Sequence, residues 1–385
     1  MIIGVPKEIM NEEARVSVIP ETVKGYIADG HTVLVETNAG IGSHFSDADY
    51  EAAGATIMKD VAKLYEKADI ILKVKEPLFN EKLGKHEIEL MHKGQYLITF
   101  IHPASPANHQ MVQDMAKQGI IAFTLDGVPR ISRAQNMDAL TSMSTCAGYK
   151  GMLLAFDALP KFVPPIFSAV GGTPPAKVLV IGAGVGGLQA LATGKRMGAS
   201  LKAIDIRPMA MENAQSLGAK IVDTGVPGEI AIAKGGYANS LSEEWLQKER
   251  EAIAAAVKEA DIIFCSALVP GETAPILITE DMVKSMDAGS VIVDISIDQG
   301  GNCEITEPAK TCKKHGVTII GIKNIPGLLP TSSTWMFAKN ISNLFKYMVK
   351  DNKINIDMSD EIFEQTLVTI DGKIVHKGTL KALKK

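Results

Sequence analysis

Short runs of Val, Ile and Leu alternate along the chain with longer stretches in which apolar residues return every third or fourth place. In the first 125 or so residues, IIGV, TVLVE, IILKV, YLITF and IIAFTL have the length and composition of strands. Between them, PETVKGYIADG, DVAKLYEKA and ANHQMVQDMAKQG carry helical spacing. A second series begins at Lys177: KVLVIG, LKAIDI, AKIVD, DIIFCSAL, VIVDIS and VTIIG, rich in Val and Ile as strands buried on both faces are. Strands alternating with helices imply βαβ units, hence parallel sheets covered on both sides. The pattern thus predicts an α/β protein of two doubly wound parallel-sheet domains facing each other across a cleft. ALTSMSTCAGYKGMLLAFDAL, from Ala139, predicts a long helix linking them, and PKFVPPIF and GGTPPAK then punctuate the chain. A late helix is expected near Trp335. TLVTIDGKIVHKG predicts a hairpin turning at Asp371-Gly372.

Composition narrows the partners. The 385 residues suggest two or three domains, and 46% apolar content is ample for their cores. Charged residues make up 22%, mixed in sign, with a net charge of −4, which argues against nucleic acid or an anionic lipid surface as a ligand. No apolar run reaches the roughly 18 residues of a membrane-crossing helix. The opening MIIGVPKEI reads as a strand and turn, with no charged leader or cleavage site. Cys146, Cys265, Cys303 and Cys312 have neither zinc-site nor disulfide-framework spacing, so reduced thiols in a cytosolic protein are expected, with no metal.

The strongest local signal is KVLVIGAGVGGLQALATGKRMGA. A strand ends at Ile181, Gly182, Gly184 and Gly187 follow in G-x-G-x-x-G spacing, and a helix begins at once. The glycines allow a tight turn, close backbone approach to a pyrophosphate and helix-to-strand packing, and the helix start favours an anion. The next strand ends in Asp205, roughly 20 residues on, where a carboxylate meets ribose hydroxyls. That charge predicts NAD(H) over NADP(H). Arg207 works the other way, since a nearby arginine can accommodate a 2′-phosphate. Ahead of this domain, VPRISRAQNMDAL gathers Arg130, Arg133, Gln135 and Asp138 in one short window.

With those residues placed, the chain resembles two related families over nearly its whole length: alanine dehydrogenase, and the soluble NAD(H)-binding component, the first portion of the alpha subunit, of proton-translocating NAD(P) transhydrogenase. The resemblance lies in MIIGVPKEIMNEEARVSVIP, ADIILKVKEP and AGSVIVDISIDQGGN. It implies two Rossmann-like domains, residues 1–138 with a returning tail 331–385 and residues 139–330, assembled as a homodimer. RISRAQNMD is similar to the transhydrogenase Arg-x-x-x-x-Gln-x-x-Asp loop. By that similarity Arg130, Gln135 and Asp138 arrange the dihydronicotinamide, Gln135 can also reach the nucleotide held by the partner, and Thr141 stands where that family usually has serine. IAIAKGGYANSLSEEWLQKERE resembles the transhydrogenase mobile loop, whose tyrosine, here Tyr237, closes over bound nucleotide. The same resemblance extends the cofactor contacts to Val185, Ile206, Ala267 and Leu268.

The function so implied is direct hydride transfer from NADH to NADP+ coupled to proton translocation. NADP(H) and the proton channel are expected on partner subunits, which place the chain in the cytoplasm at the inner face of the cell membrane. The alternative is an alanine or related amino-acid dehydrogenase, because Arg15, Lys75, His102 and Asp298 match positions that hold and protonate pyruvate in that family. An arginine and a lysine can grip a carboxylate, and a histidine with an aspartate can move a proton. A non-catalytic NAD(H)-sensing module is a third possibility that no motif favours.

Overall fold

The computed structural model describes residues 1–232, 238–269 and 273–384. The chain forms two compact units, Met1–Met143 with Gly327–Lys385, and Ser144–Pro326.

In the first unit β1 (Ile2–Val5), β2 (Thr32–Glu36), β3 (Thr56–Met58), β4 (Ile70–Leu72), β5 (Tyr96–Thr99) and β6 (Ile121–Thr124) run parallel in the order β6-β5-β4-β1-β2-β3. Chain order reverses at β1, which lies between β2 and β4. In doubly wound sheets that reversal opens a crevice beyond the carboxyl ends of the two strands. Leu64, Ile71, Leu97, Met115 and Val368 share one buried cluster against this sheet.

The second unit repeats the plan with β7 (Lys177–Ile181), β8 (Ser200–Ile204), β9 (Lys220–Ile221), β10 (Ile262–Cys265), β11 (Val291–Asp294), β12 (Thr311–Lys314) and β13 (Val317–Ile320), ordered β9-β8-β7-β10-β11-β13-β12. Its reversal falls between β7 and β10. Alternate β7 side chains serve opposite faces, as a period of two requires. Val178 and Val180 join Met152 and Ala155 on one side, while Leu179 and Ile181 join Ile253 and Val257 on the other.

The tail supplies β14 (Leu367–Ile370) and β15 (Lys373–Ile374) to the first sheet, β14 pairing antiparallel with β6. Asp371 and Gly372 both have positive φ, 51° and 74°, the geometry a two-residue hairpin turn demands. Five helices matter below: α1 (Ala139–Ala158), α2 (Val185–Arg196), α3 (Glu243–Glu259), α4 (Pro330–Met348) and α5 (Glu361–Thr366). The linking helix predicted from Ala139 is α1; the late helix starts a turn earlier than Trp335, at Pro330.

Among the described residues of the two large sheets, two strands escape the hydrophobic pattern. β3 is three residues long, and β12 reads TCKK, an antiparallel edge strand whose lysines suit an unpaired side. All four cysteines are free thiols. Among the described residues no helix is long and apolar enough to cross a membrane.

Candidate functional site

In the second unit the glycine turn follows directly on β7. Gly182 has φ +87°, and a Cβ there would lie 2.6 Å from the Ala267 amide nitrogen. A Cβ on Gly187 would lie 1.9 Å from the Gly182 carbonyl oxygen. Both positions therefore need glycine for backbone-on-backbone packing. Gly184, the residue before α2, is different: a Cβ would meet only the Arg207 Nη2, at 3.8 Å. The space beside Gly184 and Val185, at the amino end of a 12-residue helix with no acidic residue in its first turn, fits a diphosphate.

Asp205 follows β8 and is 6% exposed. Its Oδ2 accepts from the Ala183 amide at 2.8 Å and Arg207 Nη2 at 2.8 Å, and its Oδ1 accepts from the Arg207 amide and Nε, each at 2.9 Å. The aspartate thus fixes the glycine turn while Arg207 neutralises it; Ile206 bridges the two, partly exposed. Glu249, which no sequence motif singles out, lies buried in the same unit at 3% exposure. Burial, then the charge of Asp205, push its carboxyl up to about 7 against the pull of Arg250. The sequence signal for it is an acid within the buried stripe of α3, with Ile253, Ala256 and Val257.

Ala267 and Leu268 follow β10 and close the turn from the other side. Asn302, fully buried, fixes Ala267: its Oδ1 accepts from the Ala267 amide and the Ser296 hydroxyl, each at 2.9 Å. Its Nδ2 donates to the carbonyls of Ala267 and Pro275 at 2.8 and 2.9 Å. Asp294 Oδ2 accepts from the Asn302 and Cys303 amides at 2.8 and 3.0 Å. The GGN segment is therefore a clamp on the loop after β10. Tyr237 lies outside the described residues.

In the first unit RISRAQNMD is a short 3-10 turn leading into α1. Ala134 and Met137 are buried, while Arg130 and Gln135 are exposed. Asp138 accepts from the Thr141 amide at 2.8 Å and the Thr141 hydroxyl at 2.6 Å, so it caps α1 and locks Thr141.

The remaining candidates are Arg15, Lys75 and His102 in the first unit and Asp298 in the second. Arg15, 3% exposed, is gripped by Glu13 through Nε at 2.8 Å and Nη2 at 2.6 Å, and its Nη1 faces Met143 Sδ at 3.0 Å. Burial alone would raise the Glu13 carboxyl; Arg15 outweighs it and holds it below the usual range. Lys73 is fully buried between Glu87 at 2.9 Å and Glu8 at 3.3 Å. Burial pushes Glu8 up to about 7 despite Lys73. Lys75 follows on the same turn, partly exposed.

His102, at φ +48°, pairs through Nδ1 with Asp126 at 2.7 Å, and its amide donates to the same carboxylate at 2.7 Å. Burial opposes the imidazolium, but Asp126 raises its pKa; Asp126, against burial, is drawn down to about 2 by His102. Asp298 belongs to the other unit, where it faces Lys323 at 3.8 Å.

Two doubly wound sheets, the second with a complete glycine turn and ribose-position aspartate, define a protein of the two-domain Rossmann-like class. The chain belongs to the alanine dehydrogenase/PNT family, whose N-terminal domain matches residues 4–147 and C-terminal domain residues 151–377. It is 40% identical over 379 residues to the first portion of NAD(P) transhydrogenase subunit alpha of Rhodospirillum rubrum, covering 98% of each chain. It is 32% identical over 391 residues to alanine dehydrogenase of Staphylococcus saprophyticus, covering 100% of this chain and 97% of that one. Among solved structures it is similar to a transhydrogenase from Sinorhizobium meliloti, with TM-score 0.82 and 34% identity over 98% of this chain and 99% of the other.

Proposed function

We propose that this chain is the NAD(H)-binding component of a proton-translocating NAD(P)+ transhydrogenase of the Si–Re type. Hydride leaves C4 of the dihydronicotinamide of NADH with its bonding pair and joins C4 of NADP+ held by a partner subunit. NADH becomes NAD+ and NADP+ becomes NADPH, with no protein nucleophile required. The chain's task is then to hold one ring dry, oriented and open to another. Gly182, Gly184, Val185 and Gly187 would hold the pyrophosphate, Asp205, Ile206 and Arg207 the adenosine ribose, and Ala267 and Leu268 the wall. Tyr237 would cover the bound nucleotide.

The observation that carries this reading is the loop at the head of α1. It presents the Arg130 and Gln135 side chains outward, while Asp138 and Thr141 bind each other and fix the loop's exit. The membrane-spanning proton channel and the NADP(H) site are assigned to partner subunits, which hold the chain at the cytoplasmic face of the membrane. The test mixes the protein, NADH and the NADP(H)-binding subunit loaded with a thionicotinamide analogue of NADP+, whose reduction has its own absorbance. Reduction is expected only with both proteins. Gln135→Ala should retain NADH affinity and lose on the order of tenfold or more in rate. Equal analogue reduction without the partner subunit sinks the proposal.

One observation favours the alanine dehydrogenase reading: His102 is oriented by the half-buried Asp126 with its own side chain 46% exposed, the arrangement of a general acid–base group. Against it, the Arg15 guanidinium is buried against Glu13. The same preparation given pyruvate, ammonium and NADH is expected to show no turnover; turnover lost in His102→Ala would reverse the choice.

A homodimer is also proposed. The hairpin of Ile166–Ser168 and Gly171–Thr173 leaves Phe167 82% and Val170 99% exposed, with Phe162 at 60%. Large apolar side chains so displayed are a self-association surface. Light scattering after gel filtration should give twice the chain mass, and Phe167→Asp with Val170→Asp should give the monomer; a monomeric parent rejects the idea.

A further inference from the structure

Gln135 projects from a loop whose neighbours on either side are both tied down. On one side Arg133 Nη1 donates to the Tyr347 hydroxyl at 2.9 Å, and its Nη2 donates to Asp360 Oδ1 at 3.0 Å. On the other, the Asn136 carbonyl accepts from Asn340 Nδ2 at 2.9 Å and Asn343 Nδ2 at 3.0 Å. All four partners belong to α4 or to the start of α5. Asp360 is itself fixed, because it caps α5 by accepting from the Ile362 amide at 2.9 Å and also accepts from the Tyr347 hydroxyl. The guanidinium also stands 6.0 Å from the Tyr347 ring centre.

Nothing in this arrangement is needed to bury a core. The Arg133 side chain is 52% exposed and its ion pair lies at the surface, where such pairs add little to stability. The bonds do restrict backbone freedom on both sides of Gln135, whose own side chain is left exposed between them.

Resting on the transhydrogenase reading above, we propose that Arg133 is a positioning residue. With Asp360 and Tyr347 it clamps the loop so that Gln135 meets the second nucleotide at a fixed distance. Distance matters steeply in direct transfer between two rings, where misplacement of about 1 Å costs up to a hundredfold.

The test compares Arg133→Ala, Arg133→Lys, Asp360→Asn, the double variant and Gln135→Ala in the two-protein assay. NADH affinity and thermal midpoint are measured on each. Arg133→Ala is expected to lower kcat on the order of tenfold, with NADH affinity and midpoint nearly unchanged. Arg133→Lys should recover part of the rate. The Arg133→Ala, Asp360→Asn double variant should be no slower than the worse single variant, because both remove one clamp. An unchanged kcat in Arg133→Ala, with Gln135→Ala impaired, overturns the clamp and leaves the functional reading standing. A rate loss matched by equal losses of NADH affinity and midpoint also overturns it. Unchanged rates in both Arg133→Ala and Gln135→Ala overturn the functional reading and the clamp together.

Discussion

Gly184→Ala is expected to fold like the parent and bind NADH at least tenfold more weakly. A methyl there meets only the end of the Arg207 side chain, at 3.8 Å, so the fold has no reason to resist it. It does occupy the space through which a diphosphate approaches the backbone. Gly187→Ala makes the informative contrast. Its Cβ would sit 1.9 Å from the Gly182 carbonyl oxygen, so α2 must move off β7, at a cost of about 1–3 kcal/mol for overpacking. That variant should lose both stability and nucleotide affinity. Calorimetric titration with NADH and thermal denaturation of both variants separate the cases. Parent-like NADH affinity in Gly184→Ala would remove the pyrophosphate from this turn.

Lys73→Met should be the most damaging change in the first unit. The lysine is fully buried between Glu8 and Glu87, and Glu87 also accepts from the Tyr65 hydroxyl at 2.8 Å. Removing one member of a buried ion cluster leaves uncompensated charge and typically loses about 3–5 kcal/mol. The deficit should depend on pH in a defined sense. Glu8 already has a raised carboxyl pKa of about 7, so its folded form binds a proton that the unfolded chain releases at ordinary carboxylate values. Such a group lowers stability as pH climbs from the unfolded value to the folded one. Loss of Lys73 drives that folded value higher and widens the window. Urea denaturation should therefore show a larger deficit at about pH 8 than at about pH 5. A deficit independent of pH would mean that the carboxylates find other partners.

The features of this molecule visible in its sequence are those governed by near neighbours. The run from β7 through Gly182, Gly184 and Gly187 into α2 is one continuous strand–turn–helix, and the Asp371-Gly372 turn needs only the positive φ of its two residues. The Arg130-to-Asp138 window is likewise legible as a cluster of polar groups.

What stays hidden depends on register. His102 and Asp126 are 24 residues apart, and they meet because β5 and β6 pair Thr99 with Thr124, which brings the ends of both strands together. No local spacing announces that partnership, so from sequence the histidine looks equally able to work with Asp298. Arg15 misleads for a shorter-range reason: its neighbour Glu13 folds back on it and takes the Nε–Nη2 edge of its guanidinium. Glu249 escapes notice because an acid on a largely polar helix looks solvated, until the packing of α3 buries it.

The Asn302 clamp grips its neighbours almost wholly through main-chain atoms, taking the amide and carbonyl of Ala267 and the carbonyl of Pro275. The side chains at 267 and 268 carry none of that load. Evolution, or an engineer, can exchange the exposed side chain at 268 to suit a different nucleotide without touching the scaffold beneath, whereas Asn302 itself has no such latitude.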